Sequence, residues 1–445
     1  MIWRRSHFLR APTHVCAALG VIALLCAPMA RAEFGEALDV DQVRQIAREH
    51  RSEIKAALAR VQAAEQRPAI VSALEDPMLS PSVDHYPDRM MPEAAVADDM
   101  EGGAPVQESD RRYDWSVTLE QRFPMSRLLS HRRHAAEADV ERQRAESERV
   151  ALDVERNAVE AYVMLYERQQ MVLLAHEQLA LARELVATAA ARYASANGSQ
   201  AEVLRAEVEA ARATAAIKTS DAELHAAQVM FNVSLARALD APLPVLRDPI
   251  SDVKPSSSAA LQAAALRRRP ELRAGNAEIA RAEAETAAMR AMYLPMGMLR
   301  VGRASTMAEG PGTMAMLGVS LPIWVGRLRA GVAEARAMEA MAQADVDAMR
   351  RMIEAEAVAA GDAVSGAREQ YLALRDDIVP RAQMALTPAR AAYAAGQGSL
   401  TALVETLQAL WMAQADLVMS RSQLAMAWAR LQRATGDTGV TGDSP

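Results

Sequence analysis

The chain has 445 residues, of which 51% are hydrophobic but only 4% aromatic, and 24% are charged with a net charge of −7. This apolar content excludes a disordered or collagen-like chain, because Gly and Pro number only 20 each. The scarcity of aromatics argues against an ordinary packed enzyme core, and the negative charge leaves no basic field to hold nucleic acid.

Alanine makes up roughly a fifth of the chain, so its apolar surface suits a few long helices that approach one another closely. Residues 1–32 read as a secretory signal, with Arg4, Arg5 and Arg10, an apolar run from Val15 to Ala27, and Ala30-Arg31-Ala32 as the cleavage site. Both cysteines, Cys16 and Cys26, fall inside it, so the mature chain is expected to use neither disulfides nor thiolate ligands. No later stretch approaches ~18 uninterrupted apolar residues, so any membrane contact is expected through β-strands.

An N-terminal periplasmic helical segment is predicted over 33–75, followed by a first β-hairpin over 76–124. In its second strand Tyr113, Trp115, Val117, Leu119 and Phe123 alternate with Asp114, Ser116, Thr118, Glu120 and Arg122, a two-residue period; its partner is Met78 to Tyr86. The connection from Pro87 to Asp110 is acidic and reads as a solvated extracellular loop. The first long helical hairpin is predicted over 125–240. It begins with a proline-free helix from Ser126 to Tyr193 on the order of 100 Å long, then a glycine turn and a helix returning over about 202–239. His131 and His134 near its start read as part of a basic stretch with Arg132 and Arg133, rather than as metal ligands. An equatorial segment and helix occupy 241–292, and a second β-hairpin 293–324, with strands at Met296 to Arg303 and Ala315 to Ile323. A second long helical hairpin runs over 325–436, where Pro380 and Pro388 predict a kink or a change of direction. Residues 437–445 read as a disordered tail.

The halves repeat one another. Tyr193-Ala194-Ser195-Ala196-Asn197-Gly198-Ser199 recurs as Tyr393-Ala394-Ala395-Gly396-Gln397-Gly398-Ser399, and Arg127-Leu128 as Arg327-Leu328. Gly198 and Gly398 are expected to supply left-handed backbone at the two turns. Six of the seventeen aromatics, Tyr86, Tyr113, Trp115, Phe123, Tyr293 and Trp324, lie in or beside the strands, as the girdles of a membrane barrel would. Four strands cannot close a barrel, and an open sheet edge is not tolerated in hydrocarbon, so the barrel must be pooled from several chains.

On these turns, with Glu202-Val203-Leu204 after the first and Ile378-Val379-Pro380-Arg381-Ala382 before the second, the chain from about Asp39 to Gly436 resembles the TolC family of outer-membrane efflux channels. The resemblance implies a mainly α protein with a small β part. Long antiparallel helical hairpins would form a trimeric α-barrel tunnel, and four strands per chain would contribute to a shared twelve-stranded β-barrel in outer-membrane lipid. It also implies a Gram-negative outer membrane with a large periplasmic extension, no cofactor, a periplasmic adaptor (membrane fusion protein) and an inner-membrane RND-type pump. The turns Tyr193, Ser195, Ala196, Gly198, Ser199, Tyr393, Gly396, Gln397, Gly398 and Ser399 match the family's adaptor-docking tips. Ala196 stands where the family has glycine. Of two acidic positions that would form a tunnel gate, Ala402 and Glu405, only Glu405 is acidic.

The chain contains 25 methionines. Thioethers suit monovalent copper or silver, and Met90, Met91, Met296 and Met298 are candidate ligands, whereas Met338, Met341, Met349 and Met352 at helical spacing read as flexible packing residues. Asp76-Pro77-Met78-Leu79-Ser80 resembles channels of heavy-metal efflux systems, so passive conduction of such cations is the expected function. A drug-efflux or type I secretion duct of the same fold is one alternative. A periplasmic coiled-coil adaptor or structural protein is the alternative from another class. No nucleophile elbow, phosphate loop or HExxH motif suggests catalysis.

Overall fold

The structure, a computed structural model, describes residues 37–85, 113–250, 254–306 and 310–437. The expected signal segment, Tyr86, the acidic loop with Met90 and Met91, and the tail beyond Asp437 lie outside the described residues. The first half contains α1 (Val40–His50), α2 (Ser52–Ser72), β1 (Met78–His85), β2 (Tyr113–Pro124), α3 (Leu128–Ala194) and α4 (Gln200–Ser234). The second contains α5 (Ser258–Arg268), α6 (Pro270–Ala291), β3 (Met296–Thr306), β4 (Gly310–Ser320), α7 (Val325–Ala373), α8 (Val379–Ala394) and α9 (Leu400–Thr435). The duplication therefore reaches further back than the repeated turns. In both halves a pair of helices precedes the strands, broken at one extended arginine, Arg51 with φ −67° and Arg269 with φ −63°.

Nothing in α3 interrupts its hydrogen bonds. Its 67 residues span about 100 Å, and its small residues let neighbours approach: Ala158, Ala182 and Ala189 are fully or almost fully buried. Its counterpart in the second half carries an irregularity just ahead of the first of the two prolines. One π turn, Leu374–Ile378, joins α7 to α8 and leaves Pro380 in the first turn of α8, where a missing N–H costs little. Pro388 lies inside α8 without ending it.

The strands form one antiparallel sheet in the order β1-β2-β3-β4. β2 and β3 join the two hairpins, from Trp115 opposite Ser305 to Pro124 opposite Met296. β4 starts and ends earlier than its predicted window. Ladder pairing with Ser305 and Thr306 draws Gly310 and Pro311 into the strand, and Pro322, which has no N–H to donate, follows its end. Among the described residues no helix is long and apolar enough to cross a membrane.

Two devices hold the middle of the molecule. Tyr162 on α3 is fully buried against Phe231, and its hydroxyl lies 2.8 Å from the Leu38 carbonyl and 2.6 Å from that of Arg247, pinning two extended segments to the helices. On the other side, Arg433 of α9 donates to Asp153 of α3 and Glu271 of α6, both at 2.7 Å. Arg269 also grips Glu271, at 2.9 Å, and reaches Glu356 of α7 at 2.9 Å. Four helices from both halves thus meet in one ion network. Burial acts against the Glu271 carboxylate, but hydrogen bonds from Arg269 and Arg433 outweigh it and hold the pKa below the ordinary value.

Candidate functional site

The repeated turns lie side by side at one end of the helical hairpins, joined by a core drawn from α3, α4, α8 and α9 that includes Leu185, Ala206, Leu386, Leu403 and Leu407. Their reversal bonds correspond, although the second turn adds a bond from the Gly398 amide to the Ala392 carbonyl. At the first, the Ala196 amide donates to Tyr193 and that of Asn197 to Arg192; at the second, Gly396 donates to Tyr393 and Gln397 to Ala392. Ser199 and Ser399 then cap the returning helices, their hydroxyls accepting from the amides of Glu202 and Ala402.

The left-handed residues are not Gly198 and Gly398, as expected, but Ala196 with φ 57° and Gly396 with φ 77°. Gly198 and Gly398 serve close approach instead: a Cβ there would lie 3.2 and 3.1 Å from the preceding helix end. The helix must reverse three residues before the capping serine, which sets the left-handed position earlier in the motif. Ala196 therefore holds a conformation that suits glycine better, at a cost of about 1 kcal/mol.

A larger difference separates the two tyrosines. Tyr193 is 51% exposed, whereas Tyr393 is 1% exposed. The Arg192 guanidinium stacks 4.3 Å over the Tyr393 ring, donates to the Tyr393 carbonyl, and donates to the Asn197 carbonyl at 2.8 Å. The Tyr393 hydroxyl donates to the Glu202 carboxylate at 3.1 Å. Burial, and then this hydrogen bond, push the phenol above its ordinary range. Arg205 of α4 also donates to the Thr401 hydroxyl of α9 at 3.0 Å. Arg192, Glu202 and Arg205 lock the first turn to the second; in the sequence Glu202 marked only the family resemblance, and none of the three was assigned this role. The available signal was a mismatch in the repeat, Arg192 against Ala392. Glu405 is exposed one turn above the second tip, on a free face of α9 that also presents Ala402, Ala409, Met412, Asp416 and Met419.

At the other end, the sheet has two unlike faces. Leu79, Val83, Tyr113, Trp115, Val117, Leu119, Val301 and Leu317 project from one, all exposed in the chain. Arg303 is an exception on that face, one row from Trp115 and near the loop end of the sheet. Tyr113 and Trp115 mark that end, and Tyr293 and the 72% exposed Trp324 mark the end that meets the helices. From Tyr113 to Phe123 a tilted strand rises about 25 Å, the height of an outer-membrane apolar band. The opposite face is polar. Glu120 is buried there between Arg300 and Arg122, the latter donating at 2.9 Å, and the Ser82 and Ser116 hydroxyls lie 2.8 Å apart.

The methionines fall into separate settings. Met296 and Met298 lie on the polar face of the sheet, while Met338, Met341 and Met352 of α7 are exposed within the chain rather than packed. Met349 alone of that helical set packs, beside Gly275 and Val346. His131 and His134 stand edge to face, with ring centroids 6.5 Å apart. Among the described residues no group of three or more His, Cys, Asp or Glu could hold a metal ion.

Residues 261–437 match the family model described as outer membrane efflux protein. Curated protein sequences yield no match. Among solved structures, the chain shares its fold with the outer-membrane channel OprN at 17% identity and a TM-score of 0.73, covering 89% of this chain and 90% of that one. The outer membrane protein VceC of Vibrio cholerae matches at 16% identity and a TM-score of 0.72, covering 89% of this chain and 96% of that one. The outer membrane channel MtrE of Neisseria gonorrhoeae, solved in its open state, matches at 16% identity and a TM-score of 0.72, with 89% and 88% covered.

Proposed function

We propose that the chain is one subunit of a homotrimeric outer-membrane duct of a tripartite efflux system. It would passively conduct heavy-metal cations such as copper or silver, delivered by a periplasmic adaptor and an inner-membrane RND-type pump. The observation that carries this reading is the sheet. Its two edges, β1 and β4, have no partner strand in the described chain, and its apolar face is about one outer membrane tall and bounded by aromatics. Further copies would complete that sheet, and the helices, on the order of 100 Å long, would extend from it into the periplasm. The match of residues 261–437 to an efflux-protein model and the fold shared with outer-membrane channels support the same reading. The pump supplies the energy, and this subunit catalyses nothing.

In this reading the paired tips dock the adaptor. The turn residues Ser195 and Gln397 are exposed and would face the adaptor, and Glu405 on the free face of α9 would draw cations in. Cysteines at Ser195 or Gln397 are expected to capture an adaptor by crosslinking in cells. Capture only by cysteines far up α3 would contradict the docking assignment. Deletion of the gene is expected to lower tolerance to copper and silver; unchanged tolerance to copper, silver, zinc and cadmium would contradict the metal substrate.

A further inference from the structure

The polar face of the sheet opens at its lower end into a cavity of about 500 Å³, set where the strands pass into the helices. Residues from four stretches of chain line it: 73–75 before β1, 122–132 across the start of α3, 291–296 before β3, and 320–328 across the start of α7. The strand residues fix its side. Pro124 stands opposite Met296 and Met296 opposite Ser320, and Arg122 and Pro124 follow Glu120 at two-residue steps, so the cavity shares the face of the Glu120–Arg300 pair. In the reading of the chain as a duct, this is the lumen side.

The wall is mostly apolar. Leu74, Leu294, Leu321, Ile323 and Trp324 line it and are all exposed in the chain, beside the buried Leu128. A concave apolar surface of this size suits the body of a small organic molecule better than a hydrated ion.

The ionised groups of the lining are three guanidiniums, those of Arg122, Arg132 and Arg327, and one carboxylate, Glu75. Arg122 is engaged by Glu120 at 2.9 Å. Arg132 and Arg327 pair with no described carboxylate, although the adjacent Arg133 is joined to Glu137 at 2.8 Å. Both lie near the starts of long helices, α3 and α7, whose N-cap residues Arg127 and Trp324 supply no side-chain cap. The positive ends of two helix dipoles thus add to two uncommitted guanidiniums. This opposes a cation and favours a carboxylate, sulfonate or phosphate, which a guanidinium can hold in bidentate fashion. An inorganic anion would use the charge and leave the apolar wall uncovered; an uncharged solute would do the reverse.

We propose that this cavity binds an amphipathic organic anion. Arg132 and Arg327 pair with its acid group, and Leu294, Leu321, Ile323 and Trp324 receive its apolar body. Such a site is independent of the metal reading and adds a second class of solute to it.

The test uses the mature chain, assembled and reconstituted in neutral phosphatidylcholine nanodiscs. It is titrated with anilinonaphthalene sulfonate, whose fluorescence rises on leaving water, and empty discs supply the background. Saturable binding of one probe per chain is expected, and Arg132→Gln with Arg327→Gln should weaken it by about tenfold or more. A control pair, Arg127→Gln with Arg329→Gln, removes the same charge from the same helix starts outside the cavity lining, and should bind as the wild type does. Phenylnaphthylamine, the same rings without the sulfonate, should bind more weakly and be indifferent to the loss of Arg132 and Arg327. Inorganic sulfate at equal concentration should not displace the probe. Absence of saturable binding, binding unchanged by the loss of both arginines, or equal weakening by the control pair overturns the site. Displacement by sulfate, or equal binding of the uncharged analogue, does so as well. Should the double arginine variant fail to assemble, Ile323→Glu at an exposed wall position carries the same test. The added carboxylate is expected to repel the sulfonate and weaken binding by about tenfold, and unchanged binding overturns the site. Metal tolerance after deletion of the gene bears on the metal reading alone.

Discussion

Tyr193 and Tyr393 occupy the same place in a repeated sequence, yet they contribute unequally. Tyr393 fills the space between the hairpins under the Arg192 guanidinium, and Tyr193 points outward. Tyr393→Ala is expected to cost about 3–5 kcal/mol of stability at the tips. Tyr193→Ala should stay within about 0.5 kcal/mol. Hydrogen exchange of the turn amides would separate them: rapid exchange in the first variant only is expected, and equal behaviour would mean that the lock is not structural. At this scale the sequence was legible where it repeats and opaque where it does not. The matching turns could be read directly, but Arg192 looks like any exposed helix-end arginine until its partner 201 residues away is known. The left-handed residue was misplaced for a related reason. Glycine content marks a turn, but the position at which the helix reverses depends on where the next helix is capped, here by Ser199 and Ser399.

Between elements, the polar clasp at the waist makes the strongest demand. Arg433 joins α9 to α3 and α6, and its removal would leave the Asp153 and Glu271 carboxylates in a mostly buried setting with less compensation. Arg433→Leu is therefore expected to lower stability by about 3–5 kcal/mol, read as a fall in the thermal unfolding midpoint. The clasp also has a pH signature. The folded pKa of Glu271 is lowered, so its contribution is complete above the ordinary carboxylate value of 4.5 and is lost as the pH falls below it. Glu155 on α3 behaves oppositely. Burial, only partly offset by Arg48 and Arg44, raises its pKa, so its charge opposes folding at neutral pH and protonation relieves that as the pH falls. Unfolding midpoints should thus drop steeply only below about pH 4.5, and Glu271→Gln should flatten the drop. Strand alternation and long proline-free stretches made most elements legible, because period and breaker residues are local. The β2–β3 pairing, the π turn before Pro380 and the clasp were not, since each depends on which distant segment the chain meets.

For the whole molecule the decisive feature is a sheet whose two edges have no partner strand among the described residues. An apolar face bounded by aromatics places the sheet in lipid, where free backbone N–H and C=O groups along β1 and β4 would be costly. The sequence already contained this argument in outline, through four strand windows, few aromatics gathered around them and no transmembrane helix. The order of the strands, and therefore which two are left at the edges, required the fold. Closure by identical copies follows if β1 of one copy pairs with β4 of the next, a head-to-tail contact that must return on itself. Because both cysteines lie in residues 1–32, introduced pairs can be followed without background once that segment is removed. A cysteine at Ser82 on β1, scanned in turn against cysteines at Gly312, Met314, Met316 and Gly318 on β4, gives the most direct test upon oxidation of intact outer membranes. One register should yield disulfide-linked dimers and a closed trimer that migrates as a single species without heating. Monomers at every register, or crosslinked ladders that never close, would contradict the shared barrel.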